Sequence, residues 1–115
     1  MKPNIIKEKS FDFAINIVNL YKDLSQNKKE FVMSRQLLKL GTSIGANVRE
    51  TEFAQSKRDF TNKMSISLKE ANETDYWLDL LHETNYLNDD DFNKFKPKSQ
   101  EMLRLLVSIV KTSKE

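Results

Sequence analysis

The sequence predicts an all-α fold, an antiparallel up-down-up-down four-helix bundle. Apolar residues recur at three- and four-residue steps along four long runs. The links between the runs are short and polar, and no run alternates with the period of two that a half-buried strand needs. Only two glycines and two prolines occur in 115 residues, too little punctuation for the many turns of an all-β chain. At this length one domain over residues 1–115 is expected, large enough for one continuous core.

The first run extends from about Glu8 to Ser25. Phe11, Ala14, Ile15, Val18 and Tyr21 share one face, and Phe13, Ile17, Leu20 and Leu24 share nearly the opposite one. Asn27-Lys28-Lys29-Glu30 breaks it, and Ser34 is placed to cap a second helix that runs to about Phe53. This second helix carries two unlike stripes. Met33, Leu37, Leu40, Ile44 and Val48 form an apolar one, while Arg35, Lys39, Thr42, Ala46, Arg49 and Phe53 run nearly opposite, with Gln36, Ser43, Asn47 and Glu50 between them.

Ser56-Lys57-Arg58-Asp59 resembles a capping box with aspartate where Glu or Gln is usual, and it opens a third helix. That helix is about 27 residues long, some 40 Å at the α-helical rise. Asn85-Tyr86-Leu87-Asn88 ends it. Asn88 or Asp89 caps the fourth, whose acidic start Asp89-Asp90-Asp91 suits the positive end of the helix dipole. Pro97 lacks an N–H and crowds the preceding turn, so it is expected to kink this helix or split off a short first turn. Beyond it Met102, Leu103, Leu106, Ile109 and Val110 make a broad apolar face.

In the third helix Phe60, Met64, Leu68, Ala71 and Leu78 supply the core face. Ile66, Trp77 and Leu80 cluster on the other side with Glu70 and Glu73 among them. A lone bundle buries one face per helix, so second apolar faces on the first and third helices ask for another partner. We assign Ile66, Glu70, Glu73, Trp77 and Leu80 to a subunit interface, the plain alternative being that Trp77 is a partly covered surface residue. A two-fold dimer is the general default, and two opposed stripes also suit a ring.

Composition bounds the function. With 38% hydrophobic and 31% charged residues the chain has a soluble profile, and its apolar stretches fall short of the roughly 20 residues of a membrane span. The opening Met1-Lys2-Pro3-Asn4-Ile5-Ile6 has no signal-peptide core, so a cytoplasmic location and no membrane partner are expected. In that location the Asn72-Glu73-Thr74 triplet would not meet the glycosylation machinery. Zero cysteines exclude disulfides, thiol catalysis and thiolate metal sites together. The net charge of +2 is mild, so any nucleic-acid reading rests on where the charges sit.

Arg35-Gln36-Leu37-Leu38-Lys39, followed by Thr42-Ser43-Ile44-Gly45-Ala46-Asn47-Val48-Arg49-Glu50, resembles the central motif of the four-helix-bundle proteins associated with 23S ribosomal RNA intervening sequences, also labelled S23 ribosomal proteins. Asp59-Phe60, the stretch Lys63 to Thr74, Tyr76-Trp77-Leu78 and Asn85-Tyr86-Leu87 continue the likeness, which covers about residues 8 to 112. The resemblance implies a bundle that assembles as a homopentameric ring. It also implies similarity in fold to the accessory proteins of diversity-generating retroelements, which work with a reverse transcriptase and nucleic acid.

No catalytic signature accompanies these features. Gly41 and Gly45, one turn apart with Ser43 and Asn47 beside them, mark close packing within or between subunits, since each glycine costs about 1 kcal/mol against alanine inside a helix. A phosphate-binding glycine loop is excluded by the missing strand and spacing. Ser43, Asn47 and Glu50 are expected to hydrogen-bond a facing helix, Glu70 and Glu73 being the natural partners. The alternative, a carboxylate metal site, has only Asp79 and His82 at a comparable spacing, and His82 fits better as a helix-end residue. One histidine and no cysteine leave no triad, so neither an enzyme nor a cofactor is expected. Arg35, Lys39, Arg49, Lys57 and Arg58 form a basic stripe that either contacts phosphates of RNA or DNA or forms a solvated, salt-bridged face with Glu50, Glu52, Glu70 or Glu73. The leading expectation is a homo-oligomeric assembly or adaptor module with protein partners. The alternative is an RNA- or DNA-binding accessory factor.

Overall fold

The structure is a computed structural model that describes residues 3–115. It contains four helices, α1 (Pro3–Gln26), α2 (Met33–Glu50), α3 (Lys57–Glu83) and α4 (Asp89–Ser113), with a single 3-10 turn, Thr51–Phe53, after α2. Each helix packs broadly on the next in sequence, α1 and α4 touch less, and α1 and α3 lie diagonally across the bundle. The expected up-down-up-down arrangement is therefore the observed one. The 27 residues of α3 span most of the 44 Å long axis.

Three local expectations are corrected. Helix α1 starts at Pro3 rather than near Glu8, with a proline at the first helical position, where its missing N–H is not needed. Ser34 does not cap α2. Its hydroxyl donates to the carbonyl of Glu30 (2.7 Å), and the buried Glu30 carboxylate accepts the N–H groups of Val32, Met33 and Ser34 at 3.1, 3.1 and 2.7 Å. A longer side chain set four residues back thus satisfies the orphan donors that a serine at the cap position would have shared. Pro97 does not divide α4, which runs through it unbroken. The turns on either side are pinned independently, Phe92 and Phe95 against the core and Lys96 and Ser99 to α3, so the one missing backbone bond is tolerated. At the other helix starts the expected caps hold: Ser56 Oγ accepts from the Asp59 N–H and Asn88 Oδ1 from the Asp91 N–H.

The core is one cluster running from Ile6, Phe13, Ile17 and Leu24 through Leu37, Ile44 and Val48 to Met64, Leu78, Leu81, Met102 and Leu106. In α3 the buried line is Met64, Ser67, Ala71, Thr74, Leu78 and Leu81, whereas Phe60 and Leu68 are only partly covered. The two hydroxyl residues in this line are both satisfied: Ser67 donates across to the Ile44 carbonyl of α2 (3.1 Å) and Thr74 to the Glu70 carbonyl of its own helix (2.7 Å). On the opposite seam the glycines of α2 meet α1. A Cβ on Gly41 would lie 2.9 Å from both γ carbons of Ile17, and one on Gly45 would lie 3.2 Å from the Ser10 carbonyl oxygen. Close packing is thus internal to the chain, between α1 and α2.

Candidate interaction surfaces

The polar line of α2 has a definite partner. Glu70 of α3 accepts from Ser43 Oγ (2.7 Å) through one carboxylate oxygen and from Asn47 Nδ2 (2.8 Å) through the other. Asn47 also donates to the Ser43 carbonyl one turn back, and the single Ser43 hydroxyl proton lies between Glu70 and the Lys39 carbonyl. The arrangement fixes the register of α3 on α2 and uses Glu70 inside the chain.

Of the residues assigned to an interface, Ile66 is 48% exposed, while Glu73, Trp77 and Leu80 are half-buried. Trp77 packs against the core and meets the exposed Tyr76 edge-on, with ring centroids 5.2 Å apart. The larger uncovered surface lies on the other side of the molecule. Phe11 and Ile15 of α1 are 52% and 47% exposed, and Phe53 is 79% exposed. With Ala14, Thr42, Gly45, Ala46 and Arg49 the two phenylalanines line a groove of about 480 Å³ between α1 and α2. The Arg49 guanidinium lies over the Phe11 ring at 5.5 Å. Phe53 was foreseen only as part of a mixed stripe at the end of the second helix, whereas α2 stops at Glu50 and Phe53 closes the 3-10 turn that follows.

The basic stripe is dispersed. Arg35 and Lys39 sit near one end of α2, and Arg49 is about 21 Å further along by helical rise. Lys57 bonds the Glu115 carbonyl oxygen (2.7 Å), and Arg58 follows on the exposed start of α3. None of the acids proposed as partners takes one of these cations among the described residues: Glu52 pairs with Lys7, and Glu70 faces Ser43 and Asn47.

Sequence reasoning missed a partly buried polar cluster between α3 and α4. Lys96 Nζ lies 2.7 Å from Asp75 Oδ2 and 2.8 Å from Asp79 Oδ1, and Ser99 Oγ donates to Asp75 Oδ1 (2.9 Å). Burial opposes the Lys96 charge, but the hydrogen bonds and charges of Asp75 and Asp79 outweigh it and hold the ammonium above its ordinary pKa. Two acids four apart on one helix, facing Lys and Ser three apart on the next, were the available signal. His82 stacks on Phe92 (3.9 Å, 10°) and contacts Asp89 Oδ1 at 2.7 Å, bracing the α3–α4 turn. Among the described residues no group of three or more His, Cys, Asp or Glu side chains is placed to hold a metal ion, and no helix is long and apolar enough to cross a membrane.

Comparison with known proteins agrees with this architecture. A family model described as 23S rRNA-intervening sequence protein matches residues 2–108. A search of curated proteins returns no match. The chain is similar to a crystallised protein of unknown function from the S23 ribosomal protein family of Bacteroides thetaiotaomicron VPI-5482, with 56% identity over 96% of this chain and 99% of that one, at a TM-score of 0.93. A family match over nearly the whole length and a shared backbone leave one conclusion: the chain belongs to the 23S rRNA-intervening sequence protein family.

Proposed function

We propose that the chain is a non-enzymatic assembly module of the cytoplasm that works as a homo-oligomer, five copies closing a ring as the family resemblance implies. The observation that carries this reading is a pair of uncovered apolar surfaces on different corners of the bundle. One comprises Phe11, Ile15 and Phe53, and the other Ile66 and Tyr76 with the half-buried Trp77 and Leu80 beside them. Because α1 and α3 are diagonal, their outer faces look away from each other. A two-fold contact would cover one patch twice and leave the other wet. Two different patches suit a head-to-tail contact, which closes into a ring when the rotation permits.

The test is sedimentation mass. Phe11→Asp and Ile66→Asp, both at exposed positions outside the core, should each shift the mass toward the monomer with helical circular dichroism retained. Trp77 is a poorer probe, because it also packs on the core. A mass equal to one chain in the wild type, or an unchanged oligomer in both variants, refutes the reading.

A further inference from the structure

We propose that the outer face of α3 and α4 is a docking surface for the phosphate backbone of a nucleic-acid duplex. It lies away from the Phe11 corner of the assembly reading and from the dispersed cations of α2, and it borders the corner formed by Ile66 and Tyr76. From Arg58 to Tyr76 and from Pro97 to Lys114 the acids are Asp59, Glu70, Glu73, Asp75 and Glu101. All but Glu73 are engaged within the chain: Asp59 with Lys63, Glu70 with Ser43 and Asn47, Asp75 with Lys96 and Ser99, and Glu101 with Lys9. In the same segments Arg58, Lys69, Arg104, Lys111 and Lys114 are exposed, and none is in an ion pair among the described residues.

Register brings these cations together. Thr61 is bonded to Ser113 and Asp75 to Ser99, so on these antiparallel helices Lys69 lies level with Arg104, and Asn62 lies level with Lys111. By 100° steps Arg58, Asn62, Lys69 and Asn72 fall on the outward side of α3, and Gln100, Arg104 and Lys111 fall on the outward side of α4. All of these are exposed. Arg104 and Lys111 are about 10 Å apart along their helix, and Arg58 and Lys69 about 16 Å along theirs. The result is a field of cations interspersed with amide donors, with the exposed side chains of Val107 and Tyr76 and the acid Glu73 among them.

This chemistry matches an extended polyanion whose charges recur along its length, contacted without reading its bases. A duplex fits better than a single strand because Tyr76, at the edge, is the one aromatic exposed in these segments, so there is no platform on which unpaired bases would stack.

The experiment measures fluorescence anisotropy of labelled RNA and DNA duplexes, and of the matching single strands, against the wild-type protein. About four phosphate contacts predict roughly a hundredfold loss of affinity between about 50 and 200 mM salt. Lys69→Glu/Arg104→Glu, and separately Arg104→Glu/Lys111→Glu, should weaken duplex binding at least about tenfold and flatten the salt slope by about 2. Sedimentation mass and helicity should stay unchanged. Arg35→Glu/Lys39→Glu should bind as wild type. Tighter binding of the RNA or the DNA duplex identifies which one supplies the backbone. No duplex binding at about 50 mM salt, tighter binding of the single strands, or loss of binding in the α2 variant with retention in the α3–α4 variants overturns the proposal.

Discussion

Replacing Gly41 by alanine tests the close approach of α1 and α2, and the outcome turns on two opposed terms of similar size. Inside a helix the exchange should stabilise the chain by about 1 kcal/mol, because glycine loses more backbone freedom on folding. Against this, the new methyl would sit 2.9 Å from both Cγ1 and Cγ2 of Ile17 and 3.3 Å from its Cβ. Ile17 is fully buried and β-branched, so any χ1 rotation still leaves one γ carbon and the Cβ facing the new methyl. The helices must therefore separate locally, and overpacking of this kind costs about 1–3 kcal/mol. The net expectation is a loss of about 1 kcal/mol, a fall in Tm of about 4 °C for a chain of this size. Urea unfolding followed by helical circular dichroism, at fixed protein concentration, measures it. A double-mutant cycle with Ile17→Ala, which removes both γ carbons, should show a coupling of about 1–3 kcal/mol. Gly41→Ala raising stability by about 1 kcal/mol, or additivity in the cycle, would show that the two helices do not need the glycine.

Three further outcomes follow from the polar contacts. Glu70→Ala should cost about 1–3 kcal/mol, since two hydrogen bonds to a carboxylate are lost between α2 and α3, and Glu70→Gln should cost about half of that; equal stability of all three proteins in urea would contradict the clamp. Glu30→Ala should destabilise by about 1–2 kcal/mol and Ser34→Ala by less than about 1, because the carboxylate rather than the hydroxyl holds the first N–H groups of α2; the reverse order would restore Ser34 as the cap. The Lys96 ammonium is held above its ordinary pKa of 10.5, so its contribution is fully present below that value and is lost as pH rises through the folded pKa. Urea midpoints taken from about pH 9 to pH 11.5 should therefore fall more steeply for the wild type than for Lys96→Met.

What the sequence disclosed follows from what periodicity can encode. The choice of inner face on α1 between Phe13-Ile17-Leu20-Leu24 and Phe11-Ile15-Val18 was left open by the pattern, since both are apolar. The structure buries the first set because Ile17 and Ser10 must meet Gly41 and Gly45. The pairing of Ser43 and Asn47 with Glu70 was legible, because polar groups lining a core face need a partner within reach. The Glu30 cap was not: a carboxylate reaching forward over four residues has no fixed spacing rule, and a serine near the helix start offered a simpler candidate. Nor was the Lys96 cluster, because apolar periodicity says nothing about which charged residues face each other across a seam.

That same blind spot explains why the net charge of +2 understates the surface. Glu30, Glu70 and Asp75 spend their carboxylates on helix ends and seams, and only Asp75 consumes a cation in doing so. Cations such as Arg58, Lys69, Arg104 and Lys111 are then left facing solvent outside any ion pair among the described residues. A face of this kind repels its own copy, so self-association through it would be opposed, most strongly at low salt. Association through Phe11, Phe53 and Ile66 places the burial on apolar corners and leaves Arg104 and Lys111 on α4 outside the contact, with Ile66 adjoining Lys69 on α3. The proposed assembly and the proposed phosphate contact therefore share surface only along α3, where Ile66 and Tyr76 border the cations. They make opposite demands on ionic strength: duplex binding should weaken as salt rises, whereas an assembly held by apolar burial should not.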